Sequence, residues 1–142
     1  MKKSPPWLIA LVLVAGLAVI AGSWWLAERR TRENDAVAKV QAVLEGFQRG
    51  LPREYSPGLM LEHVAFEGPA LVMTIRALSR SVPEAGDSSE VARAEKALML
   101  PLCDHHDVVF LLSRGVVLKR RFIDSQDRLF FEVTLAAADC RR

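Results

Sequence analysis

From Trp7 to Ala27 the chain carries no charged residue, reading WLIALVLVAGLAVIAGSWWLA. A helix of about 20 apolar residues, rising 1.5 Å per residue, matches the ~30 Å hydrocarbon core of a bilayer. Pro5 and Pro6 stand at its start, where a missing amide donor costs least. Trp7 at one end and Trp24 and Trp25 at the other suit the two lipid–water interfaces. The run predicts a transmembrane anchor over residues 1–30, followed by one soluble domain over 31–142. Lys2, Lys3 and a small-residue site at Ala21-Gly22-Ser23 also allow a cleaved signal peptide, although the apolar run continues through Leu26. Ser23 stands where a lipoprotein signal would place its acylated cysteine, so lipidation is not expected.

Charge sharpens the picture by exclusion. Residues 1–30 carry +3, 31–100 carry −2 and 101–142 carry +1, within 142 residues of formal net charge +2. No folded segment has the positive excess of a nucleic-acid binder. The flanking charges do not orient the anchor, because Lys2 and Lys3 face Arg29, Arg30 and Arg32 across it. The cysteines decide instead. Cys103 and Cys140 are the only two, and both follow the anchor. An even pair in an exported domain reads as a disulfide, the alternative being two buried thiols acting as small hydrophobes. The expected placement is the bacterial inner membrane, single pass, with the N-terminus inside and the domain in the periplasm.

Along the domain, Asn34 or Asp35 can cap a helix whose stripe is Val37, Val40, Leu44 and Phe47, ended by Gly50. Leu51 to Gly58 is irregular. Leu59–Phe66 and Ala70–Leu78 are strand-like around Glu67-Gly68-Pro69, which favours a hairpin. Asp87-Ser88-Ser89-Glu90 forms an acidic capping box, and Val91, Ala94 and Leu98 mark the buried side of the following helix. Pro101 predicts a bend, with a second helical piece ending at Gly115. Val116–Ile123 and Leu129–Ala138 make a second hairpin around Asp124-Ser125-Gln126-Asp127. The expected fold class is α+β: a transmembrane helix, then an α-β-β-α-β-β domain with an antiparallel sheet.

Few residues point to chemistry. Cys103-Asp104-His105-His106-Asp107 holds four metal-ligating residue types, so His105, His106 and Asp107 are metal candidates, with His63 as a distant addition. Adjacent helical residues point about 100° apart, however, and a disulfide removes the thiolate. The favoured reading is a polar helical turn with no metal or cofactor. Lys119 and Arg121 share one strand face and are candidates for contact with an anion or lipid head group, against a simple solvated sheet face. Asp124 and Asp127 read as turn formers rather than an acid–base pair. No nucleophile elbow, phosphate loop or dinucleotide fingerprint is present, so an enzyme is not expected.

From Leu51 to Cys140 the layout resembles small exported domains of bacterial envelope proteins of uncharacterised function. The residues carrying the resemblance are Leu51-Pro52, the Leu59–Leu78 hairpin, Cys103, Leu111-Leu112, Gly115, Phe122-x-Asp124 and Asp139-Cys140. It implies a cysteine-stapled fold and transfers no catalytic residue; Gln126-Asp127 replaces the usual glycine of the last turn. Composition and resemblance together suggest an accessory, assembly or inhibitory factor with a protein partner in the envelope. The alternative is a metal- or ligand-binding sensor centred on His105 and His106.

Overall fold

Gly68-Pro69 parts two apolar strands, and a glycine in the first central position makes the two-residue turn that matches strand twist. Gly68 takes φ +58°. Around it β2 (Leu59–Glu67) and β3 (Ala70–Ala77) pair antiparallel, as expected. The computed structural model describes residues 6–81 and 87–141, with side chains from residue 19 onward. The chain divides into two compact units, Met1–Gln41 and Ala42–Arg142.

The N-terminal helix differs from expectation. It runs unbroken as α1 (Pro6–Gln48), so Asn34 and Asp35 lie inside it rather than capping it. No glycine or proline interrupts residues 23–45, and Ser23 and Thr31 return their hydroxyls to the carbonyls of Ile20 and Ala27. Glu28 and Arg32 add an i,i+4 pair at 2.9 Å. Among the described residues no helix is long and apolar enough to cross a membrane. This overturns the transmembrane anchor and, with it, the single-pass inner-membrane placement. Glu28, Arg29 and Arg30 follow Ala27 directly within the same helix. Trp24 and Trp25 are exposed, and the Arg29 guanidinium lies 3.8 Å from the centre of the Trp25 ring. The side chain of Trp7 falls outside the described residues.

In the second unit Gly50 takes φ +77° just after α1. β1 (Arg53–Ser56) follows, an edge strand where an irregular stretch was expected. After β3, α2 (Ser89–Met99) leads into a 3-10 turn over Leu100–Asp104 with Pro101 near its start. α3 (His106–Ser113) then ends at Gly115, φ +81°. The bend at Pro101 and the stop at Gly115 are both where the sequence puts them. β4 (Val117–Ile123) and β5 (Leu129–Leu135) form the second hairpin, and a 3-10 turn over Ala137–Cys140 closes the chain.

The sheet has five strands in the order β1-β2-β3-β4-β5. It is mixed, not antiparallel, because β3 and β4 pair in parallel, Leu71 beside Leu118 and Ile75 beside Phe122. A parallel pair needs a crossover of a dozen or more residues. α2 and α3 supply it. Leu71, Ile75, Leu118 and Leu135 on one sheet face are fully buried with Met99, Val108 and Leu111 from the crossover.

The face that α2 turns inward is the second correction. Val91, Ala94 and Leu98 are exposed, and the covered positions are Ala92, Glu95, Lys96 and Met99. The helix is rotated by about one residue step, near 100°, from the expected stripe. The expected capping box is also absent. Ser88 precedes the helix without a side-chain cap, and Asp87 instead accepts from the Ser89 amide at 2.9 Å and hydroxyl at 3.1 Å.

Candidate functional site

The rotation of α2 has a visible cause. β4 places Arg120 on the helix-covered sheet face, between Leu118 and Phe122, and a buried guanidinium needs a carboxylate. Glu95 supplies it. Arg120 Nη1 donates to Glu95 Oε2 at 3.2 Å and to the Tyr55 hydroxyl at 2.8 Å, and Tyr55 donates to Glu95 Oε2 at 2.9 Å. The Arg120 and Glu95 side chains are only 12% and 14% exposed, and Arg120 Nε is buried without a partner among the described residues. Burial and the bond to Glu95 push the Tyr55 phenol up to about 12, against the opposing pull of Arg120.

Tyr55 reaches this cluster because β1 is irregular at its position, with pairing shifting between Glu54 and Ser56. Such a bulge re-aims a side chain. The Tyr55 ring meets Phe122 edge-on at 5.9 Å, and Phe122 stacks on Phe131 at 4.5 Å. In a flat sheet β1 and β4 would stand three spacings of about 4.8 Å apart, so this contact requires the sheet to curl.

Beside this cluster a groove opens between the start of α2 and the curled sheet. Its volume is about 180 Å³, and its walls are Leu59, Ala77, Phe122, Phe130 and Phe131 from the strands with Ser88, Val91 and Glu95 from the helix side. Arg80 stands at its margin. Val91 is more than half exposed. An isolated exposed apolar residue needs no explanation, but one that lines an apolar groove does. The volume is below the ~300 Å³ at which cofactor and small-molecule pockets begin. It suits one or two apolar side chains of a larger partner.

The residues singled out from sequence lie elsewhere. Cys103 and Cys140 are joined, with Cα atoms 5.5 Å apart. His105 is the extended residue before α3, and His106 is the first residue of that helix, its Nδ1 3.4 Å from Asp107 Oδ1. Both histidines are exposed, His63 lies on β2, and among the described residues no group of three candidate ligands converges. Lys119 and Arg121 share the open sheet face, but carboxylates already occupy them. Arg121 grips Glu67 through two bonds of 2.7 Å and Glu132 at 2.6 Å, while Lys119 meets Glu132 at 3.1 Å. The bonds from Arg121 hold the Glu67 and Glu132 carboxyls below the usual carboxylate range. Asp124 and Asp127 build the last turn. Asp124 accepts from the amides of Gln126 and Arg128 at 2.8 and 2.9 Å and from Arg128 Nε at 2.7 Å. Asp127 takes φ +62°, the conformation a glycine would otherwise supply.

No family model matches the chain, and no curated protein matches it. Solved structures do. A protein described as secreted from Pseudomonas aeruginosa superposes with TM-score 0.61 at 18% identity, over 75% of this chain and 94% of that one. The pilotin EpsS of the Vibrio vulnificus type 2 secretion system gives TM-score 0.51 at 17% identity, over 80% and 94%. The type II secretion pilotin AspS of Vibrio cholerae gives 0.52 at 12%, over 75% and 94%. At these identities the likeness is one of fold.

Proposed function

We propose that this protein is a non-catalytic accessory or assembly factor of the bacterial envelope, working by taking an apolar segment of a partner protein into the groove between α2 and the sheet. The supporting observation is the outward turn of Val91 beside an aromatic floor of Phe122, Phe130 and Phe131. A helix presenting its apolar side to solvent next to a groove of one or two side chains' volume is a recognition surface for a peptide segment. The fold shared with two secretion pilotins favours an envelope partner, and the joined cysteines favour an oxidising compartment.

The test places a photo-reactive residue at Val91 or, as control, at the exposed Val109 of α3, in the full chain in its native envelope. The expected result is one discrete protein adduct from position 91, absent from 109 and lost when Phe130 is changed to serine. Equal labelling from both positions, or labelling indifferent to Phe130→Ser, would reject the groove.

A further inference from the structure

Glu95 gives the groove a polar point amid its apolar walls. Both bonds that hold this carboxylate, from Arg120 Nη1 and from the Tyr55 hydroxyl, end on Oε2, and Oε1 accepts none from the described residues. Among those residues Arg120 Nε is the one side-chain polar atom buried without a partner. Oε1 therefore keeps contact with open space, and the open space that Glu95 lines is the groove. At the margin, Arg80 is exposed and forms no ion pair among the described residues.

These two groups restrict what can fill the groove. An occupant shields Oε1 from water, and a carboxylate oxygen that loses water without gaining a donor is costly. A purely apolar side chain, such as leucine or phenylalanine, imposes that cost. One with a donor at its tip removes it. The donor need not be charged, because Arg120 already balances Glu95. A lysine or arginine would give up its hydration to sit near a carboxylate that Arg120 has neutralised, with Arg80 at the rim opposing it. Phe122, Phe130 and Phe131 favour an aromatic body through contacts between rings. Indole meets both needs, as a large apolar ring system with one N–H and no acceptor to leave unmet. Arg80 adds a preference at the rim for a carboxylate close to that ring.

We infer that the groove reads tryptophan: a tryptophan of the partner protein lies against Phe122, Phe130 and Phe131, its indole N–H donates to Glu95 Oε1, and a neighbouring carboxylate of the partner meets Arg80. This rests on the groove function proposed above and adds the chemistry of the side chain recognised. The rim pair is exposed to solvent and contributes little affinity. The indole bond is shielded by the occupant itself and carries the discrimination, since an analogue without the N–H leaves Oε1 unmet.

Small probes test this in the full chain, with binding followed through the amide resonances of Val91, Phe130 and Phe131. N-acetyl-tryptophanamide is expected to bind about tenfold more tightly than its indole N-methyl derivative, the worth of one hydrogen bond to a charged acceptor. N-acetyl-phenylalaninamide and N-acetyl-lysinamide should bind no better than the methylated probe. N-acetyl-tryptophan, which carries a carboxylate, should bind about twofold more tightly than the amide, and Arg80→Glu should reverse that order. Equal affinity for the two indoles, tighter binding of the lysine probe, no shift with N-acetyl-tryptophanamide, or an order unchanged by Arg80→Glu would overturn the inference. The photo-adduct from position 91 is read separately. An adduct without probe binding keeps the groove and rejects tryptophan, whereas probe binding without an adduct rejects the partner. An adduct that proves to be a second copy of this chain also overturns the inference.

Discussion

Arg120 Nη1 meets Glu95 Oε2 at 3.2 Å beneath α2, and this one pair sets which side of the helix faces the sheet. A buried ion pair adds little net stability, because desolvation offsets the attraction. Its effect here is on orientation: it holds Glu95 and Met99 inward and leaves Val91 and Leu98 to solvent.

Removing one partner is therefore expected to cost more than removing both. Glu95→Ala leaves a buried guanidinium uncompensated and should destabilise the fold by about 3 kcal/mol. The paired change Glu95→Leu with Arg120→Leu should be close to neutral in denaturant melts.

Tyr55 is the only tyrosine, so its ionisation can be followed without interference. In the folded chain the tyrosinate absorbance should rise with a midpoint near 12 rather than the ordinary 10. Between these values the unfolded chain releases the phenolic proton while the folded chain keeps it. The Tyr55 contribution to stability is thus present below pH 10 and is lost as pH rises toward 12. A midpoint at 10 in folded protein would contradict the burial of the phenol together with its hydrogen bond to Glu95.

The Cys103–Cys140 bridge closes a loop with sequence separation 37. The chain-entropy relation gives about 4 kcal/mol for that length. Cys103→Ser with Cys140→Ser should lower the unfolding free energy by that order. Lys96 would still tether the end of the chain through its 2.7 Å bond to Asp139.

Asp124 is the one fully buried charged residue among those described. Asp124→Ala removes the acceptor for the Gln126 and Arg128 amides together and should cost about 3 kcal/mol, since unmet buried donors cost about 1–3 kcal/mol each. Asp124→Asn keeps a carbonyl oxygen for those amides and should cost less. Equal midpoints for the two variants in chemical denaturation would show that the backbone bonds do not hold the turn.

What could be read from sequence was what neighbours along the chain decide. Gly68-Pro69 announces its hairpin, Pro101 its bend, Gly115 its stop, and two cysteines in an exported-looking domain their bond. What escaped depended on residues far apart. Nothing near Val91 signals that Glu95 will be drawn inward by an arginine 25 positions later. Nothing near Arg53 shows that its strand borders β2, and alternation within β3 and β4 carries no sign of whether they run together or opposed. The groove was hidden for the same reason, since its walls come from four strands and a helix. A legible cue did exist: Arg120 stands on the same face as Leu118 and Phe122, and a charge on an apolar strand face calls for a counter-charge from whatever packs there.

The parallel union of β3 and β4 has a consequence for how the molecule comes into being. The inner flank of β3 must wait for residues 117–123, so while the polypeptide is still emerging its most apolar strand lacks its permanent neighbour. An early product ending before Val117 would display that flank bare, as an adhesive surface. Biogenesis of this small domain is therefore a race between the arrival of its last quarter and the capture of its unfinished middle by other chains.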